Sequence, residues 1–111
     1  MTADRSRQPW PKTVDEAVEV VVRTVSPELT ETLRAGTRQG AQSRNLSLGL
    51  WMRNAFGMWR GNRDLLLDCA RRAGNDPPHP RGMDPDRASH FILGMVWDRL
   101  EGSAGDDDAG R

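Results

Sequence analysis

Cysteine is nearly missing from this chain. Cys69 is the single thiol among 111 residues, so no intrachain disulfide can form, and a reducing compartment fits that. Its apolar neighbours suit a buried thiol rather than a reactive one. Long hydrophobic runs are missing too. The longest uncharged apolar run, Ala88 to Trp97, falls far short of the roughly 20 residues that a membrane-spanning helix needs. Met1 to Gln8 is polar and lacks the apolar stretch of a secretory leader. A cytoplasmic protein without membrane contact is therefore expected. Nor is there an excess of charge: 16 basic residues stand against 16 acidic ones, which gives no overall pull toward nucleic acid or membrane. Lysine is reduced to Lys12. The other basic residues are arginine, a bias that fits a GC-rich genome. Metal-ligand spacing is absent among Cys69, His79 and His90, so neither a metal nor a cofactor is expected. Gly57 and Gly61 make no phosphate loop, because the Lys-Ser/Thr pair and the preceding strand are lacking.

What the chain does contain is helix punctuation. Thr13-Val14-Asp15-Glu16 is a capping box, and Val14, Ala17, Val18, Val21, Val22 and Val25 follow at helical spacing. Ser26-Pro27-Glu28 stops that helix and starts a short one, about Glu28 to Ala35, with Leu29 and Leu33 inward and Gly36 as its stop. Residues 36–45 read as a polar linker. A third helix is predicted from about Leu46 to Phe56, with Leu48, Trp51, Met52, Ala55 and Phe56 on its apolar face and Leu50 widening it. After the Gly57–Gly61 turn, Asn62 caps a fourth helix, about Arg63 to Ala73, which carries Leu65, Leu66, Cys69, Ala70 and Ala73 inward. A Pro-rich loop, Asn75 to Met83, precedes Asp84-Pro85-Asp86, again a cap, a proline and an acid. The fifth helix continues to about Glu101, with Ala88, Phe91, Ile92, Met95, Val96 and Leu100 inward. The fold class is all-α: one compact bundle of about five short helices with disordered termini. Residues 1–9 are expected as a flexible arm that Trp10 anchors, 10–101 as the domain and 102–111 as a disordered acidic tail.

Three stretches carry a family resemblance. They are Trp10-Pro11-Lys12-Thr13-Val14-Asp15-Glu16-Ala17-Val18; Leu48-Gly49-Leu50-Trp51-Met52-Arg53-Asn54-Ala55-Phe56-Gly57-Met58-Trp59 with Gly61-Asn62; and Asp84-Pro85-Asp86-Arg87-Ala88-Ser89 with Trp97-Asp98-Arg99-Leu100. The chain resembles a small bacterial family of all-helical domains of unknown function. The resemblance implies an all-helical fold over most of residues 10–101 and brings no established activity or cofactor. It also implies departures: relatives often carry His where Asn45 stands, and His-Pro-Asp-Asp where Asp84-Pro85-Asp86-Arg87 stands.

The charges are unevenly placed. Arg34, Arg38, Arg44, Arg53, Arg60 and Arg63 occupy a stretch without any acid, whereas Asp15 to Glu31 holds five acids and one arginine. Trp51, Phe56 and Trp59 interleave with the basic stretch. Arginine beside aromatics suits an acidic protein partner, suits phosphate contact with base stacking, and also suits a plain solvated face over a core. Helical geometry points Arg53 off the apolar stripe. Asn54 and Asn62 either bracket a small polar pocket over the Gly57–Gly61 turn or satisfy that turn's backbone groups. Asp86 and His90 are one helical turn apart, so a carboxylate is placed to orient an imidazole, and Ser89 points elsewhere. Asp64 and Asp68, with Arg71 and Arg72 nearby, read as a solvated face.

The leading expectation is a small protein-interaction module, regulatory, antitoxin-like or immunity-like, that binds another protein through Arg53, Asn54, Trp59, Arg60, Asn62 and Arg63. The alternatives are a nucleic-acid-binding helical domain using the same arginines, and a small enzyme or ligand-binding domain with its site at Asn54/Asn62 or Asp86/His90. No catalytic residue is assigned.

Overall fold

The first helix, α1, is Val14–Thr24. Thr13 Oγ1 accepts from the Glu16 amide at 3.1 Å. Glu16 closes the other half of the box one residue early, since its carboxylate accepts from Lys12 N at 2.8 Å. Val14, Ala17, Val18 and Val21 are buried. Val22 and Val25 are half-buried against the same core, so the valine stripe is helical as its spacing predicts. Helix α2, Pro27–Ala35, starts on Ser26, whose hydroxyl accepts from Leu29 N at 3.1 Å. The computed structural model describes residues 10–74 and 82–109, and side chains as far as Glu101. The expected arm 1–9 and most of the Pro-rich loop, His79 included, lie outside the described residues.

The expected linker 36–45 is a correction. It folds as helix α3, Arg38–Gln42, followed by a 3-10 turn, Ser43–Leu46. Thr37 Oγ1 caps α3 through the Gly40 amide at 3.0 Å. Only Ala41 is buried there, so periodicity had little to show. The turns are held from outside: Arg38 pairs with Asp98 at 3.2 Å, and Gln42 donates to the His90 carbonyl at 3.3 Å. A five-residue helix is unstable in water by itself, and here tertiary contacts supply what local propensity does not.

Helix α4 is Leu48–Ala55. Its buried face is Gly49, Met52, Arg53 and Phe56, with Leu48 half-buried. That is a rotation by about one residue, roughly 100°, from the expected face. Ala55 is exposed and Trp51 is 36 % exposed. The helix ends in a Schellman motif: Met58 N reaches Arg53 O at 3.1 Å and Gly57 N reaches Asn54 O at 3.4 Å. Gly57 has φ 68°, a conformation that costs other residues about 1–2 kcal/mol. A Cβ there would also lie 2.3 Å from the Trp10 ring. Trp10 therefore anchors the chain by lying on a residue without a side chain. Replacing Gly57 with Ala is expected to eject the indole and cost about 2 kcal/mol. The measurement is a red shift of tryptophan emission with a lowered urea midpoint, and an unshifted spectrum would refute the stacking.

Helix α5, Arg63–Arg72, buries Leu65, Leu66, Cys69 and Ala70. Ala73, expected inward, is exposed just past its end. Asp68 is no solvated charge: its carboxylate accepts from Val14 N at 2.7 Å. It thus fills one of the unpaired amides at the positive end of α1. Arg72 pairs with Asp15 at 3.3 Å and stitches the same two helices.

Helix α6, Pro85–Ala109, is the central element. It touches each of the other helices and the 3-10 turn. Asp84 caps it through the Asp86 amide at 3.1 Å. Ala88, Ser89, Ile92, Leu93, Val96 and Leu100 are buried, a face wider than one stripe because neighbours lie on several sides. Each fully buried Leu, Ile or Val stabilises by about 1.5–3 kcal/mol. The helix runs on to Ala109 instead of stopping near Glu101. Propagation from a packed helix adds a hydrogen bond per residue without a new nucleus. The architecture is all-helical, with six helices and no strand among the described residues. No described helix is long and apolar enough to cross a membrane.

Candidate functional site

Arg53 occupies the centre of the site residues and is not on the surface. It is 6 % exposed, which corrects the expected outward direction. Its Nη1 donates to Ser89 Oγ at 2.7 Å, Asn45 Oδ1 at 3.2 Å and Asn45 O at 3.4 Å. Ser89 Oγ donates in turn to Asn45 Oδ1 at 2.6 Å, and Asn45 Nδ2 donates to Asp86 O at 3.2 Å. The Asp86 carboxylate lies 3.4 Å from Arg53 Nε, close enough for attraction, although Nε makes no hydrogen bond. Gly49 makes the network possible, since a Cβ there would sit 2.1 Å from Asn45 Oδ1 and 3.1 Å from Arg53 Nη1. The guanidinium ties the 3-10 turn, α4 and α6 together.

Asn62 is likewise structural. It is buried, and its Nδ2 donates to Phe56 O at 2.7 Å and Pro11 O at 2.9 Å. Its Oδ1 accepts from Leu65 N at 3.4 Å as the cap of α5. Every direction of the amide is used inside the chain, whereas Asn54 is exposed. The two asparagines do not share a pocket-lining role: of the expected alternatives, Asn62 follows the backbone-satisfying one.

Asp86 and His90 both line an open cavity of about 510 Å³ with Gln42, Asn45, Met83 and Phe91. The carboxylate faces Arg53 rather than the imidazole. The imidazole Nδ1 lies 3.4 Å from Gln42 Nε2. Ser89 is fully buried and out of a substrate's reach. Cys69 is also fully buried, and burial, with the nearby Asp68 charge, pushes its thiol from 9.0 up to about 12 against the opposing pull of Arg72. A thiol that ionises near 9.0 when unfolded and near 12 when folded adds stability that is complete below the first value and lost as pH rises toward the second. Folded protein is therefore expected to resist a disulfide reagent at about pH 8 and to react only when unfolded. Its urea midpoint should fall between about pH 9 and 12, less steeply in Cys69→Ala. Rapid reaction of the folded chain would overturn the assignment. Among the described residues no three His, Cys, Asp or Glu side chains converge as a metal site.

The basic stretch divides in two. Arg34 pairs with Glu31, Arg38 with Asp98 and Arg53 with Asp86. Arg44, Arg60 and Arg63 form no ion pair with any described carboxylate. The same stretch of chain also exposes large apolar side chains. Leu46 is 88 % exposed, Trp59 57 %, Leu50 47 % and Trp51 36 %. Trp51 meets Phe56 edge-on at 5.7 Å between ring centroids. Beside it a groove of about 420 Å³ runs between α1 and α4, with Trp10, Pro11, Val20, Arg23, Trp51 and Phe56 among its lining residues.

A family model described as a domain of unknown function, DUF6794, matches residues 10–100. The chain belongs to the DUF6794 family. No curated protein and no solved structure matches the chain. Within this DUF6794 domain the structure separates the six expected site residues. Arg53 and Asn62 hold the fold, and Asn54, Trp59, Arg60 and Arg63 are exposed. Sequence reasoning missed the brace residues Asn45 and Ser89 and the exposed Leu46 and Leu50. The available signal was Gly49 placed one turn before Arg53, an open space beside a long polar side chain.

Proposed function

We propose that this DUF6794 domain is a protein-binding module, regulatory or neutralising in the manner of an antitoxin or immunity protein, that recognises an acidic partner. The observation that carries this is the segment Arg44–Arg63. It exposes Leu46, Leu50, Trp51 and Trp59 and carries Arg44, Arg60 and Arg63 without described carboxylate partners. Large apolar side chains exposed together in one segment suit a contact surface, and Trp and Arg dominate interface energetics. Protein suits the surface better than nucleic acid does. Nucleic-acid interfaces are strongly positive and polar, whereas half of the stretch's arginines are spent on internal pairs and bulky apolar groups take the space between.

The test is affinity capture from native lysate with the full chain and with Trp59→Ala and Leu50→Asp, both at exposed positions. A protein retained in stoichiometric amount by the parent and lost from both variants supports the reading. Retention of DNA or RNA at low salt that collapses at moderate salt, with no protein retained, would overturn it in favour of nucleic acid.

A further inference from the structure

The groove between α1 and α4 has a feature that a general contact surface does not require. Three of its lining residues are aromatic, Trp10, Trp51 and Phe56, and Arg23 lines it too. Arg23 spends only its Nε, donating to the Glu19 carbonyl at 3.3 Å. The Glu19 carboxylate is occupied by Arg99, whose hydrogen bond holds it below the usual carboxylate range. The Arg23 charge also acts on the Glu19 carboxylate through space, but Arg23 forms no ion pair with any described carboxylate. A volume of about 420 Å³ falls within the ~300–1,000 Å³ of pockets that bury small ligands, and exceeds what one side chain fills. Trp10 is held in place by Gly57 and by the Asn62 bond to the Pro11 carbonyl, so this wall is ordered before anything binds. An ordered aromatic slot loses little entropy on binding.

From this we infer that the groove takes a short apolar segment of the partner protein, two or three side chains long, with an adjacent carboxylate set against Arg23. The inference rests on the protein-binding reading above and names where the partner's anchor goes. Charge selects the occupant. Arg23 is the one charged side chain among the groove's lining residues, so an acidic segment is favoured there over a basic one. An acidic, apolar segment meets the groove with opposite charge and matching polarity.

The four tryptophans give the readout, since each indole N–H yields one ¹⁵N–¹H cross-peak. The probe is a blocked Glu-Asp-Leu-Phe-Asp-Glu peptide, with a blocked Lys-Lys-Leu-Phe-Lys-Lys peptide as its counterpart. The acidic peptide is expected to move the Trp10 and Trp51 peaks in a saturable way. The Trp97 peak, whose N–H donates to the Gly36 carbonyl, is expected to stay. Arg23→Glu should weaken the acidic peptide by about tenfold or more and favour the lysine peptide. Ala55→Phe, at an exposed position on the groove wall, should abolish the shifts while the protein stays folded. Equal binding of both peptides would overturn the inference, as would shifts confined to Trp59 or shifts that grow with protein concentration alone. The same peaks moved by a thymidine oligonucleotide, and not by the acidic peptide, would overturn it together with the protein-binding reading. Partner capture lost in Trp59→Ala but intact in Ala55→Phe would leave that reading standing and remove only the groove.

Discussion

Arg53→Ala is expected to lower stability by about 3–4 kcal/mol, a fall in Tm of roughly 15 °C for a domain of this size. The larger share comes from the buried stem, two CH₂ groups at about 0.8 kcal/mol each, together with the cavity they leave. The remainder comes from the charge-assisted bonds to Asn45 and Ser89, which net less because the guanidinium was desolvated to make them. Arg53→Met separates the two contributions. It fills most of the volume and removes the buried charge. Ser89 and Asn45 still bond one another, and Asp86 is already solvent-exposed. The methionine variant should therefore lose less than half of what the alanine variant loses. Thermal unfolding followed by far-ultraviolet circular dichroism checks both. An alanine variant within about 1 kcal/mol of the parent would remove the brace, and equal losses would mean that the charge, not the packing, matters. Arg60→Ala, on the exposed turn, should stay within about 0.5 kcal/mol.

The second large effect is expected at Asn62. Replacing it with Ala removes the cap of α5, about 1 kcal/mol. It also strands the buried carbonyls of Phe56 and Pro11 at about 1 kcal/mol each. The sum, about 3 kcal/mol, is a sizeable part of the roughly 5–15 kcal/mol that keeps a domain folded. Because one of those carbonyls holds the segment behind Trp10, tryptophan emission should shift to the red in the variant before global unfolding. Asn62→Ser restores only the capping oxygen and should recover about 1 kcal/mol. Urea denaturation of the three proteins measures the order. A serine variant as stable as the parent would show that the two carbonyl bonds contribute nothing.

These two residues show how unevenly the site was written in the sequence. Asn62 was legible as a cap, because a cap acts on an amide three residues away. Its carbonyl partner in Pro11 lies 51 positions back and left no local mark. Arg53 followed Met52 in a helix whose apolar residues predict it outward. Its strongest acceptor is Ser89, 36 positions on, and no pattern within α4 records that. Its apolar ring predicts Trp51 in the core, yet Arg53 and Gly49 take the inward positions and leave the indole 36 % exposed. The acid-free arginine stretch was visible, but the carboxylates that neutralise Arg38 and Arg53 come from α6, far along the chain.

Helix class, most element limits, the valine stripe of α1 and the capping residues follow from the sequence by itself. They depend on hydrogen bonds and side-chain contacts between residues three or four apart, so a short window contains both partners. The helical fold of Arg38–Leu46, the inward turn of Arg53, the capping of α1 by Asp68 and the groove between α1 and α4 were decided only by the tertiary structure. Each is a polar or shape match between segments distant in sequence, and its energy exists only once those segments are packed together.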